Sequence, residues 1–427
     1  MIVNRKHVID RATFGAASDL LGAIEKQFEA EPLRWYISEV TSTKVVVEAT
    51  EYEGHAVSPL PEPEPVAANG TDVVVSLVPT GIGCEIGGYA GDAAPATALL
   101  AASADYVVTN PNAVNASNFI STGPRVLYTE GYCLDLFLRG EVNLYRPRAN
   151  RVGLIVEQAE PSALEDVFNI VNTVRAVHGI DVVDFVVTDG PVGTHCVRNA
   201  SGAYVGRVER PEVLLEAAGR LLDAGADAIA VTTQVRGLTT EDYTSHFLGT
   251  HPNPVGGAEA IVSHLIARTY GVPAAHAPIV NFKAIALANR VVDARGAGEF
   301  VSACGLACVL VGLRQAPQIV PGRRQRLLDT IGLSQVVAVV APASALGGVP
   351  VLQAARRRIP VIAVRENHTI LDITADKLAL EGVIDVANYP EAAGVVLALR
   401  NAISLDSLRR PLTTLGEFSE VAISEPA

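Results

Sequence analysis

The chain reads as an α/β protein, with mostly parallel sheets of Rossmann-like βαβ units in two lobes and a small N-terminal α+β unit. Three observations predict this. Beyond residue 70, short apolar runs bounded by Gly, Pro and Asp alternate with helical segments for more than three hundred residues, which is the pattern of βαβ crossovers. Hydrophobic residues make up 49% of the chain and aromatic ones only 5%, so the core is built of Val, Ala, Leu and Ile, as in sheets buried on both faces. A length of 427 residues is enough for about two or three domains.

Along the chain, Ala16 to Ala30 carries apolar residues at helical spacing, and Trp35 to Val40 with Lys44 to Ala49 reads as two strands around a Thr-Ser-Thr turn. These form the N-terminal unit, 1–54. Four prolines in seven residues, Pro59 to Pro65, make 55–70 an extended linker or a strap over the surface. Strands are expected at Val73–Val78, Tyr106–Thr109, Arg125–Thr129, Val152–Val156, Asp184–Val187, Ala228–Val231, Leu306–Val311, Val336–Val340 and Val361–Val364. We divide them into a first lobe at 71–300, a second at 301–404 and a tail at 405–427.

Composition excludes several roles. A net charge of −13 disfavours nucleic acid and anionic membrane as partners, and the one basic cluster, Arg323-Arg324-Gln325-Arg326, reads as a solvated helix start. The uncharged run Val336 to Ala355 is broken by Pro342, Gly347-Gly348 and Pro350 into strand, loop and helix, so it is no membrane span. No secretory signal is visible, and the five cysteines are odd in number and match no zinc spacing. We therefore expect a reduced, cytoplasmic protein. Its apolar surplus is expected to be covered in a homodimer or larger homo-oligomer.

The most informative segment is Asp72 to Pro95, where a buried-strand pattern breaks into five glycines within eleven residues before an alanine-rich helix. A strand, a glycine turn and a helix start bring backbone N–H groups and a positive dipole end to one point, which suits an anion. No Gly-Lys-Ser/Thr follows, and Gly81, Gly83 and Gly87 miss the dinucleotide fingerprint by one place. The ligand group of this loop is Thr80, Gly81, Gly83, Gly87, Gly88 and Asp92. The conformational reading, that these glycines only permit a tight turn and close packing, stands beside it.

In parallel sheets ligands sit at the carboxyl ends of strands. There the sequence places Asn110, Asn112 and Asn115, then Glu130 and Tyr132, Asp189, Ser344 with Gly347-Gly348, and Glu366-Asn367. Amide, carboxylate and hydroxyl groups suit a small polar metabolite, and turn or N-cap duty is the plainer reading for each Asn and Asp. Farther on, positions 258, 261, 262, 265 and 269 form one helix face, with His264 and Arg268 sharing its flank and His276 following. His264 and His276 match no structural zinc spacing, and no metal or other cofactor is expected. Cys84, near a presumed helix start, would have a lowered pKa there and is a possible nucleophile without a histidine nearby in sequence.

Several segments together resemble DUF3326, a bacterial and cyanobacterial family of unknown function. They are Pro79 to Gly83 through Ile86 to Asp92, Glu130 to Tyr132 with Leu134-Asp135, Asn150 to Leu154, Gly257 to Ala260 with Ser263 to Leu265, Ala275 to Pro278, Cys308 to Leu313 and Ala363-Val364 with Glu366-Asn367. The resemblance spans roughly 79–395 and implies a boundary without a reaction. More loosely, Thr80 to Gly83 and Ala345 to Gly348 look like the glycine loops of D-glutamate cyclases, which close a C–N bond by loss of water. Ser344 to Val364 is similar to the nucleotide-phosphate loop of the PurE-type carboxylase/mutase fold.

The expectation is an enzyme acting on a small carboxylate- or phosphate-bearing metabolite, a lyase, cyclase or hydrolase making or breaking a C–N or C–O bond without a redox cofactor. Glycines 81, 83, 87, 88, 347 and 348 would cradle the anion. His264, Asp189, Glu130 or Glu366 would move protons, since carboxylates in unlike environments can divide acid and base roles. The alternative is a sensor or carrier using the same cleft without chemistry.

Overall fold

A computed structural model describes residues 1–13, 17–54, 60–67, 69–110, 123–279, 291–301, 304–320 and 329–415. The N-terminal unit is an antiparallel sheet in the order β1 (Ile2–Asp10), β3 (Lys44–Tyr52), β2 (Arg34–Val40), with helix α1 (Ala17–Glu25). Strand β2 alternates, with Trp35 and Ile37 buried and Arg34 and Tyr36 on the other face. It is an edge strand, and its open side does not meet water. Tyr36 bridges Gly348, and Ile37 N–H donates to the Gly347 carbonyl at 3.0 Å. Part of the proline-rich segment is a strap, since the Glu64 carbonyl accepts from Asn143 and the Val66 carbonyl from Ser334.

The principal sheet is parallel throughout, in the order β18 (Val383–Val386), β17 (Val361–Val364), β16 (Val336–Pro342), β4 (Val73–Ser76), β5 (Tyr106–Thr109), β6 (Val126–Tyr128). Counting only these strands along the chain, the order is 3-2-1-4-5-6 read from β6, the doubly wound arrangement that reverses direction between β4 and β16. Period-two alternation fills both faces. Val73, Val75, Val339 and Ala363 face helices α3 (Gly131–Arg139) and α10 (Val349–Arg356), whereas Val74, Val107, Val340 and Ile362 face α2 (Ala94–Ser103) and α12 (Tyr389–Arg400).

Between β6 and β16 the chain builds a second parallel sheet, β14 (Ala274–Pro278), β12 (Ala228–Thr233), β8 (Val152–Val156), β9 (Val182–Val187). Helices α4 (Pro161–His178) and α9 (Cys304–Leu313) cover one face, α5 (Pro211–Asp223) and α7 (Gly256–Tyr270) the other. Smaller elements complete it: β10 (Thr194–Arg198), β11 (Tyr204–Val208), β13 (Val235–Arg236), β7 (Leu144–Arg146) with β15 (Asp329–Ile331), and helices α6 (Thr240–Phe247), α8 (Ala297–Val301), α11 (Ala375–Leu378) and α13 (Leu405–Leu408).

Two expectations are corrected. The division at residue 300 does not follow the sheets, because strands from both expected lobes hydrogen-bond in one six-stranded sheet and the second sheet is an insertion between them. Strand pairing is non-local, so the order of apolar runs cannot reveal it. Leu306–Val311 lies in helix α9. Its ten residues are apolar nearly all round, which erases the period that separates helix from strand. The cluster Arg323 to Arg326, together with Asn112 and Asn115, lies outside the described residues.

Helix α7 meets β11 through glycines. A Cβ on Gly257 would sit 2.3 Å from the Tyr204 carbonyl oxygen and 2.7 Å from Val205 Cα, whereas one on Gly394 in α12 would meet nothing within 4 Å. Gly257→Ala should therefore lower stability by about 1–3 kcal/mol. Gly394→Ala should raise it by about 0.5–1 kcal/mol through helix propensity alone. Urea unfolding of both variants checks this, and equal effects would contradict the packing described.

Candidate functional site

The carboxyl ends of both sheets face one cavity of about 340 Å³. From the first sheet it is lined by Pro79 to Gly83 after β4, Asn110 after β5, Glu130 after β6 and Ala345 with Gly347 to Pro350 after β16; from the second come Thr232, His276 and Pro278. The first turns of α3, α4, α7, α9 and α10 open onto it as well. In α4, α7 and α10 no side chain caps that turn, so N–H groups and positive dipole ends are left for a ligand. The second sheet's own reversal point, between β8 and β12, is already filled. Fully buried Glu157 accepts there from the Val192 and Gln234 amides at 2.7 and 2.6 Å.

Glu130 and His264 form the chemical centre of this space. Glu130 is the N-cap of α3 and accepts from the amides of Tyr132 (2.9 Å) and Cys133 (2.6 Å). Its Oε2 lies 3.3 Å from His264 Nε2, an approach that Gly131 permits, since a Cβ there would stand 2.8 Å from that nitrogen. His264 Nδ1 lies 3.2 Å from the Leu33 carbonyl. A carbonyl only accepts, so Nδ1 carries the proton and Nε2 is free to accept. Burial, against the two capping amides, pushes Glu130 up to about 8, and burial followed by the positive charge of Arg34 holds His264 down to about 3. At neutral pH the pair is a carboxylic acid beside a neutral imidazole. One proton is shared between a donor and an acceptor that face a cavity.

Other expected residues divide sharply. Thr80, Gly81, Gly83, Gly87, Gly88, Asn110, His276, Gly347 and Gly348 line the cavity. The glycine loop is a wall, however, and several of its amides are already spoken for. Those of Gly87 and Tyr89 donate to Asp92, and that of Ile86 donates to Asn367. Helix α2 begins only at Ala94, and its start does not reach the cavity. Gly81 and Gly87 serve conformation, each with positive φ and a backbone or side-chain atom where a Cβ would stand. Asp92 and Asn367 therefore tie the loop together, and burial raises Asp92 to about 7.

Asp189 and Glu366 are exposed and away from the cavity, Asp189 beside Arg210 at 3.7 Å and Glu366 accepting from the Tyr389 amide at 3.2 Å. Ser344 bonds Thr369 at 2.9 Å, and Tyr132 reaches Glu31 at 3.5 Å. Neither they nor Arg268 line the cavity. Cys84 is buried, donates to the Pro79 carbonyl at 3.3 Å, and burial pushes its thiol up rather than down, so the nucleophile reading fails. His276, held down to about 3 by burial, meets Thr233 at 2.9 Å. Among the described residues no three His, Cys, Asp or Glu side chains are grouped to hold a metal. Sequence reasoning missed Arg34, Asp135, His246, Glu259 and Glu299, all lining residues, because Arg34, His246 and Glu299 lie on elements whose place beside the cavity no local pattern reveals. Asp135, five residues after Glu130, and Glu259, behind a glycine pair, had a signal.

The sequence model of DUF3326, described as a protein of unknown function, matches residues 73–409. The chain belongs to this family. A protein of Synechococcus sp. named an uncharacterized lipoprotein is 36% identical over 331 residues, covering 76% of this chain and 90% of its own length. The DUF3326 match contains Glu130, His264 and the glycine loops, and Arg34 precedes it. No helix among the described residues is long and apolar enough to cross a membrane.

A neutral Glu130 has a signature in this DUF3326 protein. A glutamate ionises near 4.5 when unfolded and near 8 here, so the unfolded state holds fewer protons in between and stability falls as pH rises through that range. Asp92 and Asp135 contribute in the same sense only up to about 7. His264 acts oppositely, removing stability as pH falls below 6.5. Between pH 7 and 8, then, wild-type unfolding free energy should fall by about 1 kcal/mol through Glu130, and Glu130→Gln should flatten that segment. An equal slope in the variant, read by urea melts at the two pH values, would show that the carboxyl is already ionised.

Proposed function

We propose that this DUF3326 protein is an enzyme acting on a small anionic metabolite in the cavity between its two parallel sheets, making or breaking a C–N or C–O bond by proton transfer without a redox cofactor. The observation that carries the reading is the Glu130–His264 pair, an acid and an acceptor with displaced pKa values in contact at the wall of the cavity. Neutral Glu130 can give its proton to a leaving nitrogen or oxygen, and the carboxylate it leaves, oriented by Nε2 of His264, can take one back from a substrate or water. Uncapped first turns of α7 and α10 supply stabilisation for negative charge that develops nearby. Buried thiols at Cys84, Cys133 and Cys196 agree with a cytoplasmic setting, which cell fractionation checks.

Native mass spectrometry of the purified protein should reveal a bound metabolite. With that compound as substrate, Glu130→Gln and His264→Ala are each expected to cut kcat by about 10²–10⁴-fold, whereas Asp189→Asn should leave it unchanged. Turnover that survives both of the first two substitutions would remove the catalytic assignment. Tight binding by wild type with no chemical change in the metabolite would make the protein a sensor or carrier.

A further inference from the structure

Interior carboxyls of this protein are held by backbone amides. Glu157 accepts from Val192 and Gln234, Asp92 from Gly87 and Tyr89, and Glu299 from Ala90 at 3.2 Å. Asp135 differs. It lies five residues beyond Glu130 on α3, lines the same cavity and is half-buried. Among the described residues its carboxyl makes no hydrogen bond or ion pair, yet its oxygens keep accessible surface. The two cations whose charge it feels are placed otherwise: Arg139 pairs with Glu31, and Arg34 lies 5.3 Å over the Tyr36 ring. A carboxylate taken from water and left unbonded costs stability. Such a cost marks a group that serves a ligand rather than the fold.

Asp135 and Glu130 stand in unlike environments. Glu130 is 3% exposed, with His264 against it, whereas Asp135 opens to the cavity. Five residues of helix separate their backbones by about 7.5 Å along the axis, which leaves room for a substrate group between them. Burial, against the positive charges of Arg139 and Arg34, pushes Asp135 up to about 7. Burial raises Glu130 further, to about 8, and the charge of Asp135 adds to that rise. Glu130 therefore keeps its proton at a pH where Asp135 has ionised. Two carboxyls that titrate in that order can act as acid and base in one step.

We propose that Asp135 is the general base of the reaction in which Glu130 is the acid. The inference deepens the proposed function and rests on the reading of this cavity as a catalytic site. Asp135 takes a proton from the attacking group, which is water or an N–H or O–H of the metabolite itself. The electron pair freed there forms the new bond to carbon. The old C–N or C–O bond breaks, its pair leaves with the nitrogen or oxygen, and that atom receives the proton of Glu130. One proton has then passed from substrate to Asp135 and one from Glu130 to product, and exchange with solvent restores both carboxyls.

The intact protein is incubated with a protein-free metabolite extract of Synechococcus cells, and the compounds it consumes are followed by mass spectrometry. Wild type should consume at least one. Asp135→Asn should slow that consumption by about 10²–10⁴-fold. The same variant should melt about 1–2 °C higher at pH 8, because an unbonded charge has been removed. An aspartate kept for the fold would show the reverse. In Asp135→Ala the carboxylate is missing altogether, and added formate should restore turnover in a saturable way by taking its place. Wild-type turnover in Asp135→Asn, a lowered melting temperature in that variant, or no recovery of Asp135→Ala by formate overturns the inference. The proposed function then still stands if Glu130→Gln has lost turnover. A wild-type protein that consumes nothing in the extract removes the catalytic reading itself, and the role of Asp135 with it.

Discussion

One constraint orders the whole molecule: a parallel strand can be joined to its neighbour only by a crossover, and the crossover helix starts where the strand ends. Every parallel sheet therefore collects helix N-termini along one edge. Here two such sheets turn those edges toward each other, and first turns of five helices open onto one cavity. The positive ends of these helices and their unbonded N–H groups would be costly to bury without a partner. The two sheets treat that cost differently. The inserted one fills its reversal point with Glu157, whereas the principal one leaves the space between β4 and β16 to the cavity.

Within that frame the edge strand β2 is the decisive addition. An unpaired edge is a liability, and this one is closed against Gly347 and Gly348 rather than against another strand. Gly347 has no room for a side chain, since a Cβ would lie 2.7 Å from Ile37. The pleat of β2 then dictates the rest: Trp35 and Ile37 turn into the core, Arg34 and Tyr36 to the opposite face. A small unit that reads as a separate module is thus part of the cavity wall. Leu33, one residue earlier, fixes the tautomer of His264 through its carbonyl.

Acid–base character arises from the same packing. Glu130 is placed by an ordinary duty, capping α3, and Gly131 then lets His264 approach from α7. Capping amides favour a carboxylate, but burial outweighs them and keeps the group neutral. Cys84 illustrates the converse. It lies in the glycine loop where sequence suggests an activated thiol, yet no helix starts there and burial raises its pKa.

The α/β class, the strand at Val73 and the strand-loop-helix reading of 336–355 were legible in the sequence, because each depends on local composition; Glu130 and His264 were separate candidates there, and their contact required the fold. The glycine loop was legible as a landmark, but nothing local reveals that Asp92 and Asn367 take the amides of Ile86, Gly87 and Tyr89. The division into lobes, the helix at Cys304–Leu313 and the idle positions of Asp189 and Glu366 required the fold. By itself the sequence determined which segments could be strands and which side chains could carry protons, because alternation and strand ends are written in neighbouring residues. Tertiary structure alone decided that β4 pairs with β16, that two sheets share one cavity and that Arg34 stands in its wall. Those contacts join residues hundreds of positions apart, and their free energy belongs to pairs that no sequence window contains.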